Sequence, residues 1–302
     1  MFMKIGIVYG GISAEREVSL NSGEEVFAAF DKEKYDVVKI RIDGMEDLAK
    51  CKGLDFAYIV LHGRFGEDGM VQSVLESYNI PYTGSGPMSS ALCMDKDITK
   101  RVLKSAGINT APWLSVASME DIDYDYVDSM GYPVVVKPNC GGSSVATNLV
   151  KKKELLDDAV ALAFQYDNEV IIEKFIKGDE ISCVILEDKV VSVVLIKHNA
   201  EFFDYEAKYK DSGTQETVVR FPVELHNQIL DMANLCWKVC KCKVMGRVDM
   251  IISEGVPYVL ELNTLPGHTK NSIFPKGVQG AGISYKEMLE IITQASLQVK
   301  RK

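Results

Sequence analysis

The sequence predicts an α/β protein, α+β in part, and three observations predict it. Short apolar runs alternate with helix-spaced stretches over the first third of the chain. Paired runs joined by tight turns dominate the last third, and glycine-rich polar segments sit where strands should end. The chain is 302 residues long, enough for two or three modest domains with cores of their own.

The opening runs KIGIVY, DVVKIRI and LDFAYIVLH read as buried strands, each followed by helix-like spacing. That β-α-β-α order implies a parallel sheet with covering helices. It closes near IPYTGSGP, so a first domain is placed at residues 1–87. ALCMDKDITKRVLKSAG then reads as one helical run ended by Gly107. A strand around Trp113, the strand PVVVKP, the loop NCGGSS, a helix from Lys153 to Gln165 and the strand EVIIEKF complete a second unit, 88–176. In the third, 177–302, the strands EISCVILE and KVVSVVLIKH turn at Asp188, and a polar loop follows. Next come a helix from Val223 to Lys241, the strands VMGRVDMIIS and VPYVLELN around Gly255, and a final loop and helix.

A formal charge of −9 argues against nucleic acid, because phosphate binding needs a basic surface. The apolar part of MFMKIGIVYGG is too short for a signal core, and runs such as VVSVVLI are strand-length, so no membrane span is expected. Seven cysteines without framework spacing fit reduced thiols in the cytoplasm. Cys236 and Cys240 would share a helix face, with Cys242 close by, but no fourth metal ligand follows, which favours plain thiols.

Four segments carry candidate chemistry at strand ends, where ligand sites gather in open sheets. In GGISAEREVS, Glu15 stands at a helix start, and alone this is ordinary helix-end electrostatics. HGRFGEDGMVQS packs His62, glycines and two carboxylates into a run too rich for a simple turn. In VVVKPNCGGSS, Lys137 ends an apolar strand before Gly141, Gly142 and Ser143, the parts of a phosphate cradle in an order unlike the P-loop. GRVDMIISEGVPYVLELNTLPG puts Asp249 and Glu261 on paired strands, with Arg247 and Asn263 able to share their face. Oxygen ligands of that kind suit Mg²⁺ bound with nucleotide phosphates, and the alternative is a salt-bridged strand pair with arginine neutralising the acids.

Together these segments resemble the D-alanine–D-alanine ligases of the ATP-grasp superfamily. SAEREVS, HGRFGEDG, MDK, VVVKP, IIEKFIKGDE, FFDYEAKY, GRVDM and ELNTLPG occur in the family's order over nearly the whole chain. The resemblance implies an ATP-grasp fold with an N-terminal parallel-sheet domain. It implies ATP held by Lys96, Lys137, Ser143, Glu173, Lys174, Ile176, Glu180 and Lys208. It implies two Mg²⁺ ions, replaceable by Mn²⁺, on Asp249, Glu261 and Asn263. Two D-alanines would be joined through an acyl phosphate, for peptidoglycan precursors. Glu15 and His62 would hold the first ammonium, Ser272 the second carboxylate, and Arg247 with the Gly267 N–H the oxyanion. Tyr209 would lie on a closing loop whose intact YEAKY favours dipeptide over D-alanyl-D-lactate, the product of a near relative. A homodimer is implied as well. One departure stands out: the chain reads GSSVATNLV, with Ala146 where the family usually has glycine. Either Ala146 takes an ordinary conformation or nucleotide affinity is altered.

Overall fold

The computed structural model describes residues 2–142, 145–197 and 214–301. Strand β1 (Met3–Gly10) lies between β2 (Tyr35–Ile42) and β3 (Phe56–Ile59), parallel to both. A central parallel strand is buried on both faces, which is why KIGIVY runs apolar instead of alternating. Helices α1 (Arg16–Ala29) and α2 (Met70–Ser77) leave the loops that follow β1 and β3, so both loops open at the same sheet edge.

The run read as one helix is two. Helix α3 (Pro87–Met94) stops at Asp95, whose carboxylate caps α4 (Lys96–Ser105) by accepting the Ile98 N–H at 2.9 Å. Periodicity continues through the break because both helices bury one face, and the aspartate cap is what restarts the turn. A four-stranded antiparallel sheet follows, ordered β4 (Trp113–Val116), β7 (Val170–Lys174), β5 (Val134–Pro138), β6 (Asn148–Val150). Helix α5 (Tyr124–Met130), not read from sequence, and α6 (Leu156–Ala163) cover it. The expected helix from Lys153 begins as a 3₁₀ turn and becomes α-helical only at Leu156.

The last sheet is antiparallel, ordered β10-β9-β8-β11-β12. Its strands are β8 (Asp179–Leu186), β9 (Lys189–Lys197), β10 (Gln215–Val218), β11 (Met245–Ser253) and β12 (Val256–Asn263). Residues Glu187 and Asp188 both have positive φ, as do Glu254 and Gly255, the geometry of two-residue hairpins. Strand β10 falls within what the sequence offered as polar loop. Helix α7 (Val223–Val239) backs one face, burying Ile229, Ala233, Cys236 and Trp237. The final helix is a pair, α8 (Ile273–Gly280) and α9 (Tyr285–Leu297). Phe274 and Ile292 on this pair share one core with first-sheet residues such as Ile7 and Tyr58, and with Val184 and Val194 of the last sheet. That shared core holds the first and last sheets to a common cleft.

The cysteines are free thiols, and all but Cys140 are buried. Burial pushes Cys183 and Cys236 well above the usual thiol range, which leaves them inert packing groups. No group of three or more metal-binding side chains drawn from His, Cys, Asp and Glu occurs among the described residues.

Candidate active site

A cavity of about 440 Å³ opens where the ends of β1, β3 and β12 meet the start of α4. Glu15, His62, Lys96, Arg247, Glu261, Asn263, Gly267 and Ser272 line it, so residues from four distant segments converge on one space.

At the first-sheet wall, Glu15 caps the entry to α1 and its carboxylate is wedged between two glycines. A Cβ at Gly63 would come within 2.8 Å of Glu15 Oε2, and one at Gly142 within 2.6 Å. Glycine at both positions therefore lets the loop after β3 and the loop after β5 close on one carboxylate. His62 is buried, with Nε2 3.3 Å from Ser22 Oγ and Nδ1 3.5 Å from Glu67 Oε1. Glu67 also accepts the Gly63 N–H at 3.0 Å. Burial raises the Glu67 pKa, His62 opposes that rise, and the Glu15 charge adds to it. Two carboxylates flanking an imidazole make an acidic wall suited to an ammonium group.

On the opposite wall, β11 and β12 pair with Asp249 facing Glu261 and Arg247 facing Asn263. Arg247 is buried: its Nη2 donates to Asp249 Oδ2 at 2.7 Å and its Nε to Ser182 Oγ at 3.1 Å. Burial works against the guanidinium charge, but Asp249 outweighs it and raises the arginine pKa. Ser182 Oγ in turn donates to Asp249 Oδ1 at 2.6 Å. Glu261 is about one-third exposed, and its Oε2 lies 3.5 Å from Lys96 Nζ. Lys96 donates to the Gly141 carbonyl at 2.6 Å, which ties the first turn of α4 to the glycine loop. The idea that arginine neutralises both acids is thus divided: Arg247 is paired with Asp249, and Lys96 stands beside Glu261.

Gly267 follows β12, and a Cβ there would meet Ser272 Oγ at 2.8 Å. Ser272 Oγ lies 2.8 Å from Thr269 Oγ1. This close turn puts the Gly267 backbone beside a hydroxyl in the cavity wall.

Two family models match the chain: the D-ala D-ala ligase N-terminus over residues 4–49 and 42–85, and the D-ala D-ala ligase C-terminus over residues 102–294. The chain belongs to the D-alanine–D-alanine ligase family. A D-alanine–D-alanine ligase of Clostridium botulinum (strain Loch Maree, type A3) is 57% identical over 300 residues, which is 99% of this chain and 100% of that protein. The crystal structure of a D-alanine–D-alanine ligase from Bacillus anthracis superposes with a TM-score of 0.91 at 47% identity, covering 98% of each chain. The ATP complex from the same organism superposes at 0.90 with 44% identity, again over 98% of each chain. The ATP-grasp expectation for the fold therefore stands.

Not every residue matched to the ligase family lies on the cavity. Lys137, next to last in β5, donates to Glu173 Oε1 at 2.5 Å and does not line the cavity. Glu173 is buried, and its carboxylate is engaged by Lys137 and Lys100. Burial alone would raise its pKa, yet the two ammonium groups hold it at about 2. Among the described residues its Oε2 has no hydrogen-bond partner, although Lys100 lies 2.8 Å away. Lys174 is exposed, and its N–H donates to the Pro112 carbonyl at 2.9 Å. Ile176 lies in the link between β7 and β8, and Glu180 pairs with Ile196 and Ile251 on β8. Ser143, Lys208 and Tyr209 lie outside the described residues.

Ala146 has φ +53°, so of the two alternatives the ordinary conformation is excluded. An L-residue there carries about 1–2 kcal/mol of strain. Ala146→Gly should relieve it, with a smaller loss from the freer unfolded chain. The expected outcome is a melting temperature unchanged or raised and ATP affinity retained or tightened. Calorimetric titration checks this, and a large loss of affinity would show that the Ala146 methyl makes a contact of its own.

Sequence reasoning missed several groups. Glu67 was visible in GEDG, four residues after Gly63, but nothing local distinguished it from Asp68. Val18 and Asn21, which line the cavity, stand three and six positions after Glu15 on the same helix, a helical spacing that marks a face. Ser182 becomes visible only once β8 is known to neighbour β11.

Proposed function

We propose that the chain joins two D-alanine molecules at the expense of ATP, forming ADP and phosphate by way of a D-alanyl phosphate. What carries the proposal is one cavity that holds an acidic wall for an ammonium, a lysine beside a glycine loop, and an arginine locked to a strand-pair carboxylate.

Glu15, with Glu67 and His62 beside it, takes the ammonium of the first D-alanine and turns its carboxylate toward the nucleotide. Lys96 and Lys137 hold ATP phosphates, and Ser143 belongs to the same cradle. The substrate carboxylate attacks the γ-phosphorus, the bond to ADP breaks, and an acyl phosphate forms. Asp249, Glu261 and Asn263 offer only oxygen donors, with Asp249 and Glu261 directly opposed across the strands, a set that fits hard divalent cations. Mg²⁺, when bound there, neutralises phosphate charge. The amine of the second D-alanine, its carboxylate held at Ser272, attacks the acyl carbon after losing a proton. Arg247 and the Gly267 N–H stabilise the tetrahedral oxyanion until phosphate leaves. Lys208 is assigned to ATP and Tyr209 to the choice of second substrate on their family motif alone. The dipeptide serves peptidoglycan precursor synthesis in the cytoplasm, and the working unit is a homodimer without nucleic-acid or membrane partners. Among the described residues no helix is long and apolar enough to cross a membrane.

Phosphate release from ATP with D-alanine, L-alanine and D-lactate supplied separately tests the reading. D-alanine alone should support turnover with dipeptide formed in equal amount. Release driven by L-alanine as readily, or phosphate without dipeptide, would overturn it.

A further inference from the structure

Lys100 is buried, with 1% of its side chain exposed, and it lines no part of the substrate cavity. A buried ammonium needs partners, and three oxygens surround this one, two of them accepting its hydrogen bonds. They are Glu173 Oε2 at 2.8 Å, Thr110 Oγ1 at 2.8 Å and the Ala111 carbonyl at 3.2 Å. The Trp113 ring lies on the same side, 5.3 Å from Nζ to centroid. Buried ion pairs are weak stabilisers, and an apolar side chain of the same volume often does as well. The pair therefore calls for another account.

The geometry around Glu173 supplies it. One carboxylate oxygen takes Lys100 and the other takes Lys137 at 2.5 Å. Lys100 comes from α4, one turn after Lys96, so the two lysines share a helix face. Lys96 reaches the cavity and Lys100 reaches Glu173 on β7. Glu173 lies on β7 opposite Val135 of β5, two residues before Lys137. With Lys100 in place the carboxylate has one orientation, and Lys137 has a fixed anchor. Without it, Glu173 would be a buried anion with a single partner.

We propose that Lys100 is a positioning residue for the nucleotide: it pins Glu173, and Glu173 orients the Lys137 ammonium toward the ATP phosphates. The proposal rests on the reading of Lys137 as a phosphate ligand. Lys100 is buried and lines no part of the cavity, so its effect on the nucleotide is assigned to the Glu173–Lys137 contact. Loss of Lys100 should therefore weaken ATP and leave D-alanine binding unchanged.

The test measures affinity for a non-hydrolysable ATP analogue, with Mg²⁺, by calorimetry on the full-length protein. Lys137→Met should weaken binding by about tenfold or more, the scale of a lost charged hydrogen bond. Lys100→Met should weaken it by about five- to tenfold, with KM for D-alanine changed by less than about twofold. The double variant should bind no more weakly than Lys137→Met alone, because residues acting through one contact are not additive. Multiplied losses in the double variant, or unchanged affinity in Lys100→Met, would overturn the proposal. If Lys137→Met itself binds normally, the phosphate reading of Lys137 fails and the proposal falls with it. Should Lys100→Met fold poorly, the comparison moves to Glu173→Gln with and without Lys100→Met. Adding Lys100→Met there should change affinity by less than about twofold, and a larger further loss would again overturn the proposal.

Discussion

Glu261→Gln is expected to fold nearly as the parent chain does and to lose about two to three orders of magnitude in turnover. The structural side of that expectation follows from Lys96. The Glu261–Lys96 pair spans 3.5 Å and Glu261 is 37% exposed in its side chain, so breaking it should cost at most about 1 kcal/mol. The chemical side follows from the strand register. Glu261 faces Asp249 across β11 and β12, and the proposed Mg²⁺ would draw an anionic oxygen from each. Glutamine keeps the volume and removes the charge, so raised Mg²⁺ should restore activity only in part. Thermal melting, Mg²⁺-dependent binding of an ATP analogue and D-alanine-dependent phosphate release, on one preparation, separate the roles. A variant that melts early but turns over normally in the cold would sink the metal assignment.

Arg247 should show a different signature, because its partner is buried. Arg247→Met leaves Asp249 with the neutral Ser182 hydroxyl as a donor, and losing one partner of a buried pair costs about 3–5 kcal/mol. A clear fall in melting temperature is expected, together with a loss of activity. Arg247→Lys keeps the charge but cannot hold Asp249 and Ser182 with a rigid fork. It should retain most of the stability and still lose about 100- to 1,000-fold in kcat, the scale of a removed oxyanion donor. Dipeptide formation and melting curves check both. Near-normal kcat in Arg247→Lys would assign the arginine to structure alone.

How far the sequence reaches depends on the range of the interactions involved. Strand β1 was legible because a buried parallel strand writes an unbroken apolar run. That Asp249 and Glu261 lie on paired strands was legible from the tight turn at Gly255, but their direct facing was not, because a register shift between Asp249 and Met250 moves Asp249 from Leu260 to Glu261. The break between α3 and α4 was not, since the helical period runs on through Asp95 and only its cap shows the restart. Glu173 was matched to the ATP site, but its lysine partners come from α4 and β5, and no local pattern announces such a junction. Ala146 was legible as a question and not as an answer: composition marks the missing glycine, and only the backbone gives its φ. The family motifs supplied most of the roles, while the physical pattern alone supplied strands, glycine loops and an acidic strand pair.

The central claim is that a D-alanine carboxylate is phosphorylated before the peptide bond forms. D-alanine labelled with ¹⁸O in both carboxylate oxygens tests it most directly, because attack on the γ-phosphorus makes one of those oxygens the bridge to phosphate. When the second amine displaces phosphate, that oxygen leaves with it. Mass spectrometry of the released phosphate should therefore find one ¹⁸O for each dipeptide made. Phosphate without the label, alongside normal dipeptide formation, would contradict the account.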